Sequence, residues 1–276
     1  MTEKIEKTRA DAVAIHLQDL KDEFISVAEM QRRIMPDPEE APVFGEFDIF
    51  GKALPMAVVG GDFYTFIDME ARFGINGRMG IVIADAAGHG LAAAMLIRDF
   101  NTGLHMAISF QSHYVQDTTP LLFSKVNRRM YRSSGPNQYI SAFYSELQLN
   151  GTIRYMNAGH PNPLLFKENG AVVPLRTGGP LLGAFPDAPN EYEVGQDVIA
   201  TGDLLVCCTD GITEAMDPAG REYGFQRLEG VVRDNRRFGA HTVCDAILED
   251  VDRFCGGRTQ EDDRTLIVIR RGRSGD

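Results

Sequence analysis

Carboxylates stand at four places where apolar runs of this chain begin or end abruptly. Asp62 follows Val-Val-Gly-Gly, Asp85 follows Ile-Val-Ile-Ala, Asp210 follows Leu-Leu-Val-Cys-Cys-Thr, and the pair Asp262–Asp263 precedes an apolar run. A carboxylate at the end of a buried strand is unfavourable unless a cation compensates it. Because hard divalent cations prefer oxygen ligands, four such positions in one chain predict a shared metal site.

Small residues accompany these carboxylates. Gly60 and Gly61 precede Asp62, and Asp85 opens the segment Asp85-Ala-Ala-Gly-His-Gly90. Small side chains leave room beside the backbone, so the carbonyl oxygen of Ala86 could itself coordinate a metal ion. The N–H groups of the helix expected after Gly90 would favour an anion such as phosphate. The alternative at each site alone is a structural turn or a helix cap.

Composition narrows the functional class. The chain has 276 residues and a formal net charge of −11, without the Lys/Arg cluster that nucleic-acid binding requires. Its longest apolar runs are too short to cross a bilayer and its N-terminus is charged, which favours a cytoplasmic protein that contacts neither membrane nor nucleic acid. The four cysteines form no Cys-x-x-Cys pair and are expected to be core thiols, with Cys207 and Cys208 on opposite faces of one strand.

The first 36 residues are predicted to be separate from the rest. Apolar residues at four-three spacing indicate a helix over 5–35, with Gln31 in one position of the series, and Pro36 ends it. This helix either packs on its own domain or serves as a linker for dimerisation or regulation. We therefore expect an N-terminal helix over 1–36 and one domain over 37–276.

The chain after residue 36 is predicted to contain, in order, strands, two helices, further strands, two helices and a last strand. Asn150-Gly151 between alternating apolar runs is typical of a hairpin, and the order lacks the regular βαβ alternation of a doubly wound sheet. Two sheets flanked by helices fit better. Strands are predicted near 46–54, 62–69, 78–85, 139–149, 152–158, 163–167, 171–175, 191–199, 203–209 and 264–270, and helices near 91–109, 119–133, 224–235 and 240–254.

A second histidine-bearing turn lies at Asn157-Ala-Gly-His160-Pro161. Its histidine could bind substrate or act as an acid. The alternative is a histidine that only hydrogen-bonds the backbone at the end of a strand.

Together these segments resemble the PPM-type metal-dependent protein phosphatases, in the bacterial SpoIIE/RsbU-like branch. The resemblance runs over residues 28–270, and six short motifs occur in the family's order. The motifs are Met30-Gln-Arg-Arg-Ile-Met-Pro36, Gly60-Gly-Asp-Phe-Tyr64, Asp85 to Gly90 with Ala92–Ala94, Asn157-Ala-Gly-His-Pro161, Thr209-Asp-Gly211 and Asp262-Asp-Arg-Thr265.

The resemblance implies an α-β-β-α sandwich, an α+β fold with two mainly antiparallel sheets and two Mn²⁺ or Mg²⁺ ions between them. It implies that Asp62 and Asp85 surround the metal pair, that Asp85 bridges it, and that the Ala86 carbonyl adds an oxygen. Asp210 and Asp262 would complete the catalytic set, and Asp263 is a further metal-ligand candidate. A water held by both metals would attack phosphorus without a covalent protein intermediate, in keeping with the lack of a Cys-x5-Arg motif.

The same resemblance implies phosphoserine or phosphothreonine proteins as substrates, in this branch an anti-sigma-factor antagonist of a partner-switching pathway. A regulatory partner or a second copy would bind through the N-terminal helix. Many members have Val-Ser where Ala86-Ala87 stands here, a change to which a carbonyl ligand is indifferent. Arg98 and Arg264 are candidates for binding the substrate phosphate by position only, and His89 for protonating the leaving group.

Three other functions compete with an active phosphatase. The first is a catalytically inactive phosphatase-like binding module, although such relatives usually lose metal carboxylates and all four positions are filled here. The second is another metal-assisted hydrolase, which would normally mix histidines among its ligands. The third, a nucleotide-binding α/β protein, lacks the glycine spacing of a dinucleotide loop.

Overall fold

In the computed structural model, two β-sheets stack face to face and helices cover their outer faces. The structure describes residues 2–37, 40–114, 119–135, 137–186 and 192–272. The helices are α1 Thr2–Arg32, α2 Met69–Phe73, α3 Leu91–Tyr114, α4 Thr119–Ser133, α5 Asp210–Thr213, α6 Gly224–Asn235 and α7 Ala240–Cys255. The strands are β1 Phe47–Leu54, β2 Asp62–Asp68, β3 Arg78–Ala86, β4 Ile140–Gln148, β5 Thr152–Ala158, β6 Leu164–Phe166, β7 Val172–Pro174, β8 Gly178–Gly179, β9 Gly195–Val198, β10 Leu204–Cys208 and β11 Arg264–Arg271.

One sheet has the strand order β1-β11-β10-β6-β7, and the other has the order β2-β3-β4-β5-β8, with β9 also pairing with β5. The neighbours are antiparallel except β5 and β8, which are parallel. The mainly antiparallel α-β-β-α sandwich expected from the sequence is confirmed.

Three apolar layers hold this sandwich together, because alternate residues of each strand face opposite sides. The layer between the sheets contains Ile83 and Cys207, the layer under α3 and α4 contains Phe100 and Phe123, and the layer under α6 and α7 contains Cys208. Cys207 and Cys208 therefore lie on opposite faces of β10, as expected. All four cysteines are buried and unpaired.

Most predicted elements appear within a few residues of their expected limits. The strand predicted over 191–199 is formed only at Gly195–Val198, and position 191 is outside the described residues. Two short elements were missed. Helix α2 depends on local caps, an N-cap at Asp68 and a left-handed Gly74, and β8 consists of two glycines that only pairing with β5 defines.

Helix α1 meets the domain near its C-terminal end. Ala28 is buried with Val59 and Ala94. Farther towards the N-terminus, Leu17, Phe24 and Ile25 are exposed. None of the helices in the described ranges combines the length and apolar character needed to cross a bilayer.

Candidate metal centre

Asp62 and Asp85 lie directly opposite each other on neighbouring strands. They are cross-strand partners in the antiparallel pair β2–β3, and such partners project from the same face. Tyr64 and Ile83, two residues away on each strand, belong to the apolar layer between the sheets. The two carboxylates therefore face the space between the sheets, where Asp62 is buried and accepts a 2.8 Å hydrogen bond from the Thr209 hydroxyl.

The other sheet supplies Asp210 and Asp262. Asp210 begins α5 immediately after β10, and Asp262 lies just before β11, the strand that pairs with β10. Gly211 permits their approach, because a Cβ on it would lie 1.9 Å from the carbonyl oxygen of Asp263. The Asp-Gly sequence is thus required by packing between the two turns.

A pocket of about 640 Å³ opens where these strand ends meet. Asp85, Ala86, Asp210 and Asp262 line it together with two further acids and the His89 turn. No Lys or Arg of the described residues belongs to its lining. Asp62 and Asp263 do not line this pocket and instead line a separate one of about 710 Å³ next to α1.

The carboxylates repel one another strongly. Burial, and then the charges of Asp210, Asp262 and Asp263, raise the pKa of Asp85 to about 8. Burial and the Asp85 charge raise the pKa of Asp62 well above its ordinary value. Burial, assisted by Asp210, also raises the pKa of Asp262. Such a set of oxygen donors without a compensating cation fits one or more hard divalent ions.

The donors converge without forming a finished coordination shell. Across the described ranges, no three Asp, Glu, His or Cys side chains approach closely enough to hold a metal ion. The backbone around the site is nevertheless tightly packed. A Cβ on Gly61 would lie 2.9 Å from the carbonyl oxygen of Ala86 and 3.3 Å from a carboxylate oxygen of Asp85, so only glycine lets these two segments approach.

The carboxylate of Asp263 has different contacts from that of its neighbour Asp262. It is buried, and its two carboxylate oxygens accept 2.6 Å hydrogen bonds from the backbone N–H groups of Met56 and Gly61. A Cβ on Gly60 would lie 2.3 Å from the same carboxylate. Gly60 thus makes room for the Asp263 carboxylate, whereas the exposed Asp262 faces the pocket.

Gln31 was not among the predicted site residues, although it interrupts the apolar stripe of α1. Its buried side-chain amide donates to the carbonyl oxygen of Gly60 at 2.8 Å and accepts from the N–H of Gly60 at 3.2 Å. These two bonds join α1 to the loop that carries Asp62. A polar residue inside a heptad stripe was the signal that could have identified it.

His160 is buried at the wall of the acidic pocket. Its Nδ1 makes a 2.9 Å hydrogen bond with the hydroxyl of Ser141. Asn157 holds its backbone, accepting from the N–H at 2.7 Å and donating to the carbonyl at 2.9 Å. Burial lowers the pKa of His160 to about 3, so the ring is neutral. The sequence alternative was a histidine that only hydrogen-bonds the backbone, whereas here the ring contacts the Ser141 hydroxyl and the Asn157 side chain holds the main chain of His160.

The two candidate phosphate-binding arginines have other contacts. Arg264 is buried and forms a 2.7 Å ion pair with Asp252. Arg98 donates to the sulfur of Met30 on α1. Neither belongs to the lining of the acidic pocket.

Comparison with known proteins identifies the family. The family model of Stage II sporulation protein E (SpoIIE) matches residues 75–272. Protein IcfG of Synechocystis sp. (strain ATCC 27184 / PCC 6803 / Kazusa) is 26% identical over 263 residues, which cover 85% of this chain and 39% of IcfG. Phosphoserine phosphatase RsbP of Bacillus subtilis (strain 168) is 27% identical over 215 residues, which cover 76% of this chain and 48% of RsbP.

The chain thus spans less than half the length of these two curated relatives. Its fold also matches a solved structure, the SiaA-PP2C domain of Pseudomonas aeruginosa, with a TM-score of 0.78 and 20% identity. That match covers 92% of this chain and 98% of the SiaA domain. The chain therefore belongs to the SpoIIE family, within the SpoIIE/RsbU-like PPM phosphatases, and it has the PP2C fold.

Proposed function

We propose that this protein is a Mn²⁺- or Mg²⁺-dependent phosphatase that hydrolyses phosphoserine or phosphothreonine in a protein substrate. One observation carries the proposal: Asp85, Asp210 and Asp262 reach a single pocket from two different sheets. Asp62 supports the same centre from its position opposite Asp85.

The oxygen donors around the pocket suit hard cations, and their side chains would have to draw closer together to hold a pair of them. Asp85, Asp210, Asp262 and the Ala86 carbonyl would hold the ions, and Asp62 is the further carboxylate beside Asp85. Two bound divalent cations would lower the pKa of a shared water and offset charge on the phosphoryl oxygens. We assign Asp263 to positioning the loop before Asp62 rather than to metal binding, because its carboxylate oxygens already accept hydrogen bonds from the N–H groups of Met56 and Gly61.

A covalent cysteine intermediate is not part of the proposal. Burial raises the pKa of Cys208 to about 12, and that of Cys244 to the same value. Within the described chain, no cysteine lines the acidic pocket. Thiolate nucleophiles need a lowered pKa and access to the substrate, and these thiols have neither.

His89 is our candidate for protonating the leaving serine oxygen. Two histidines line the pocket, and His160 is buried and neutral, whereas His89 is exposed. A His89→Gln variant should lose more activity on a phosphoserine peptide than on p-nitrophenyl phosphate, because nitrophenolate leaves without a proton. Equal losses on both substrates would contradict this assignment.

The decisive test is metal-dependent hydrolysis of p-nitrophenyl phosphate and of a phosphoserine peptide. Asp85→Asn and Asp210→Asn should each abolish hydrolysis and weaken Mn²⁺ binding in calorimetry. Asp234→Asn, an exposed carboxylate on α6, is the matched control and should retain both. Full activity in excess chelator would exclude the proposal, and Mn²⁺ binding without hydrolysis would favour the inactive binding module.

For the natural substrate, we propose a phosphoserine anti-sigma-factor antagonist of a partner-switching pathway. Membership of the SpoIIE family and the likeness to RsbP, named a phosphoserine phosphatase, support this class. Purified phosphorylated antagonists should be dephosphorylated faster than unrelated phosphoproteins. Equal rates on both groups would remove the preference.

The N-terminal helix remains a proposed linker over 1–36, with the phosphatase domain over 37–276. Exposed Leu17, Phe24 and Ile25 support a regulatory partner or a second copy on this helix. Analytical ultracentrifugation of the wild type and a Phe24→Glu variant tests dimerisation. A wild-type monomer at all concentrations would leave only the regulatory partner.

A further inference from the structure

A second polar pocket shares part of its lining with the acidic one. It has a volume of about 550 Å³, and Gly159, His160 and Asn162 line both pockets. The turn that carries His160 is therefore a shared wall. A peptide with its phosphoserine in the acidic pocket would reach the second pocket by crossing this turn.

Arg176 is the cation of this second pocket. It is exposed, and its guanidinium makes no hydrogen bond or ion pair in the described part of the chain. The acidic pocket has no Lys or Arg among its described lining residues. Arg176 is thus the positive side chain that a substrate meets on leaving the carboxylate cluster by this wall.

The backbone around Arg176 is fixed relative to the shared wall. On one side, the N–H of Leu175 donates to the carbonyl of Pro163 at 2.9 Å. On the other side, the carbonyl of Thr177 accepts from the N–H of Asn157 at 2.9 Å. Arg176 therefore projects from a segment anchored on both sides, so its backbone needs no further ordering when its side chain binds a ligand.

We propose that the second pocket receives the segment of the phosphoprotein next to the phosphoserine, and that Arg176 pairs there with an acidic side chain of that segment. The proposal rests on the phosphatase function proposed above. Arginine offers a planar fork of N–H donors that matches a carboxylate. Glu193 lines the same pocket but forms no ion pair with Arg176. Its carboxylate would repel an acidic peptide, so its replacement should strengthen the binding of such a peptide.

The test compares phosphoserine peptides that carry one glutamate, or glutamine in its place, at successive positions beside the phosphoserine. Wild-type enzyme with Mn²⁺ should favour glutamate at one of these positions, by roughly twofold to fivefold in kcat/KM, as expected for an exposed ion pair. The ratio should fall to about one in Arg176→Ala. It should be retained in the control Arg72→Ala, an exposed arginine on α2, which follows the far end of β2.

Two further variants test the roles of Arg176 and Glu193 separately. Arg176→Glu should reverse the preference in favour of a lysine-bearing peptide, and Glu193→Gln should increase the glutamate preference. A wild-type ratio near one at every position, or an unchanged ratio in Arg176→Ala, would overturn this inference alone. Failure of the wild type to hydrolyse even p-nitrophenyl phosphate with Mn²⁺ would overturn the proposed function and this inference with it.

Discussion

Replacement of Asp262 and of the adjacent Asp263 by alanine should affect different properties of the protein. Asp263 is 5% exposed and accepts two 2.6 Å hydrogen bonds from the N–H groups of Met56 and Gly61. Asp262 is exposed and lines the acidic pocket. We therefore expect Asp263→Ala to reduce stability and Asp262→Ala to reduce metal binding.

The magnitude follows from the contacts. Each hydrogen bond to a charged group contributes about 1.5–3 kcal/mol, and deletion of the acceptor leaves its donors unpaired. The two short bonds of Asp263 together contribute about 3–6 kcal/mol to the free energy of unfolding, and relief of the repulsion between Asp263 and the carboxylates of Asp62 and Asp85 offsets part of the loss in Asp263→Ala. Asp262→Ala should change that quantity less without metal, because the loss of its one hydrogen bond from the Asp263 N–H is offset by relief of its repulsion with Asp210 and Asp85.

Urea unfolding of the wild type and both variants, in chelator and then with Mn²⁺, measures both effects. In chelator only Asp263→Ala should unfold at a clearly lower urea concentration. Added Mn²⁺ should stabilise the wild type but not Asp262→Ala, because a ligand stabilises only the state that binds it. The assignment of roles fails if Asp263→Ala keeps the wild-type midpoint, or if Asp262→Ala is the less stable variant in chelator.

Three further outcomes are expected. Gln31→Ala should lower the free energy of unfolding, measured by urea unfolding, by about 2 kcal/mol, because both backbone groups of Gly60 lose their partner. The control Gln18→Ala, at an exposed position of the same helix, should lower it by under about 0.5 kcal/mol. Equal losses in the two variants would contradict this prediction. The pKa of His160 is about 3 in the folded protein, below its unfolded value, so the unfolded state binds more protons between pH 6.5 and pH 3. The free energy of unfolding should therefore fall with pH in this range, by about 2 kcal/mol at pH 5 relative to pH above 6.5. An equally steep fall in the His160→Gln variant would disprove this prediction. Because the pKa of Asp85 is about 8 without metal, protons compete with cations and the apparent Mn²⁺ affinity should rise from pH 6 to pH 8; calorimetry showing a constant affinity would refute this.

Strand periodicity and turn chemistry are local properties, and the sequence alone determined them well. The alternation that places Cys207 and Cys208 on opposite faces, and the hairpin at Asn150-Gly151, depend on neighbouring residues only. Acidic residues at the ends of apolar runs likewise gave Asp85 and Asp210 as members of one site. Local patterns do not define the two-glycine strand β8, which exists only through pairing with β5.

Side-chain partners across the sandwich depend on tertiary packing, and sequence could not assign them. Nothing in Asp262-Asp263 distinguishes the residue that faces the pocket from the one that holds the Gly61 backbone. The contacts of Gln31 with Gly60 and of His160 with Ser141 join residues 29 and 19 positions apart. The sequence thus determined which residue types stand at the strand ends, and the packing of α1 and the two sheets decided which atoms they contact, because those contacts depend on distances between elements that no local pattern encodes.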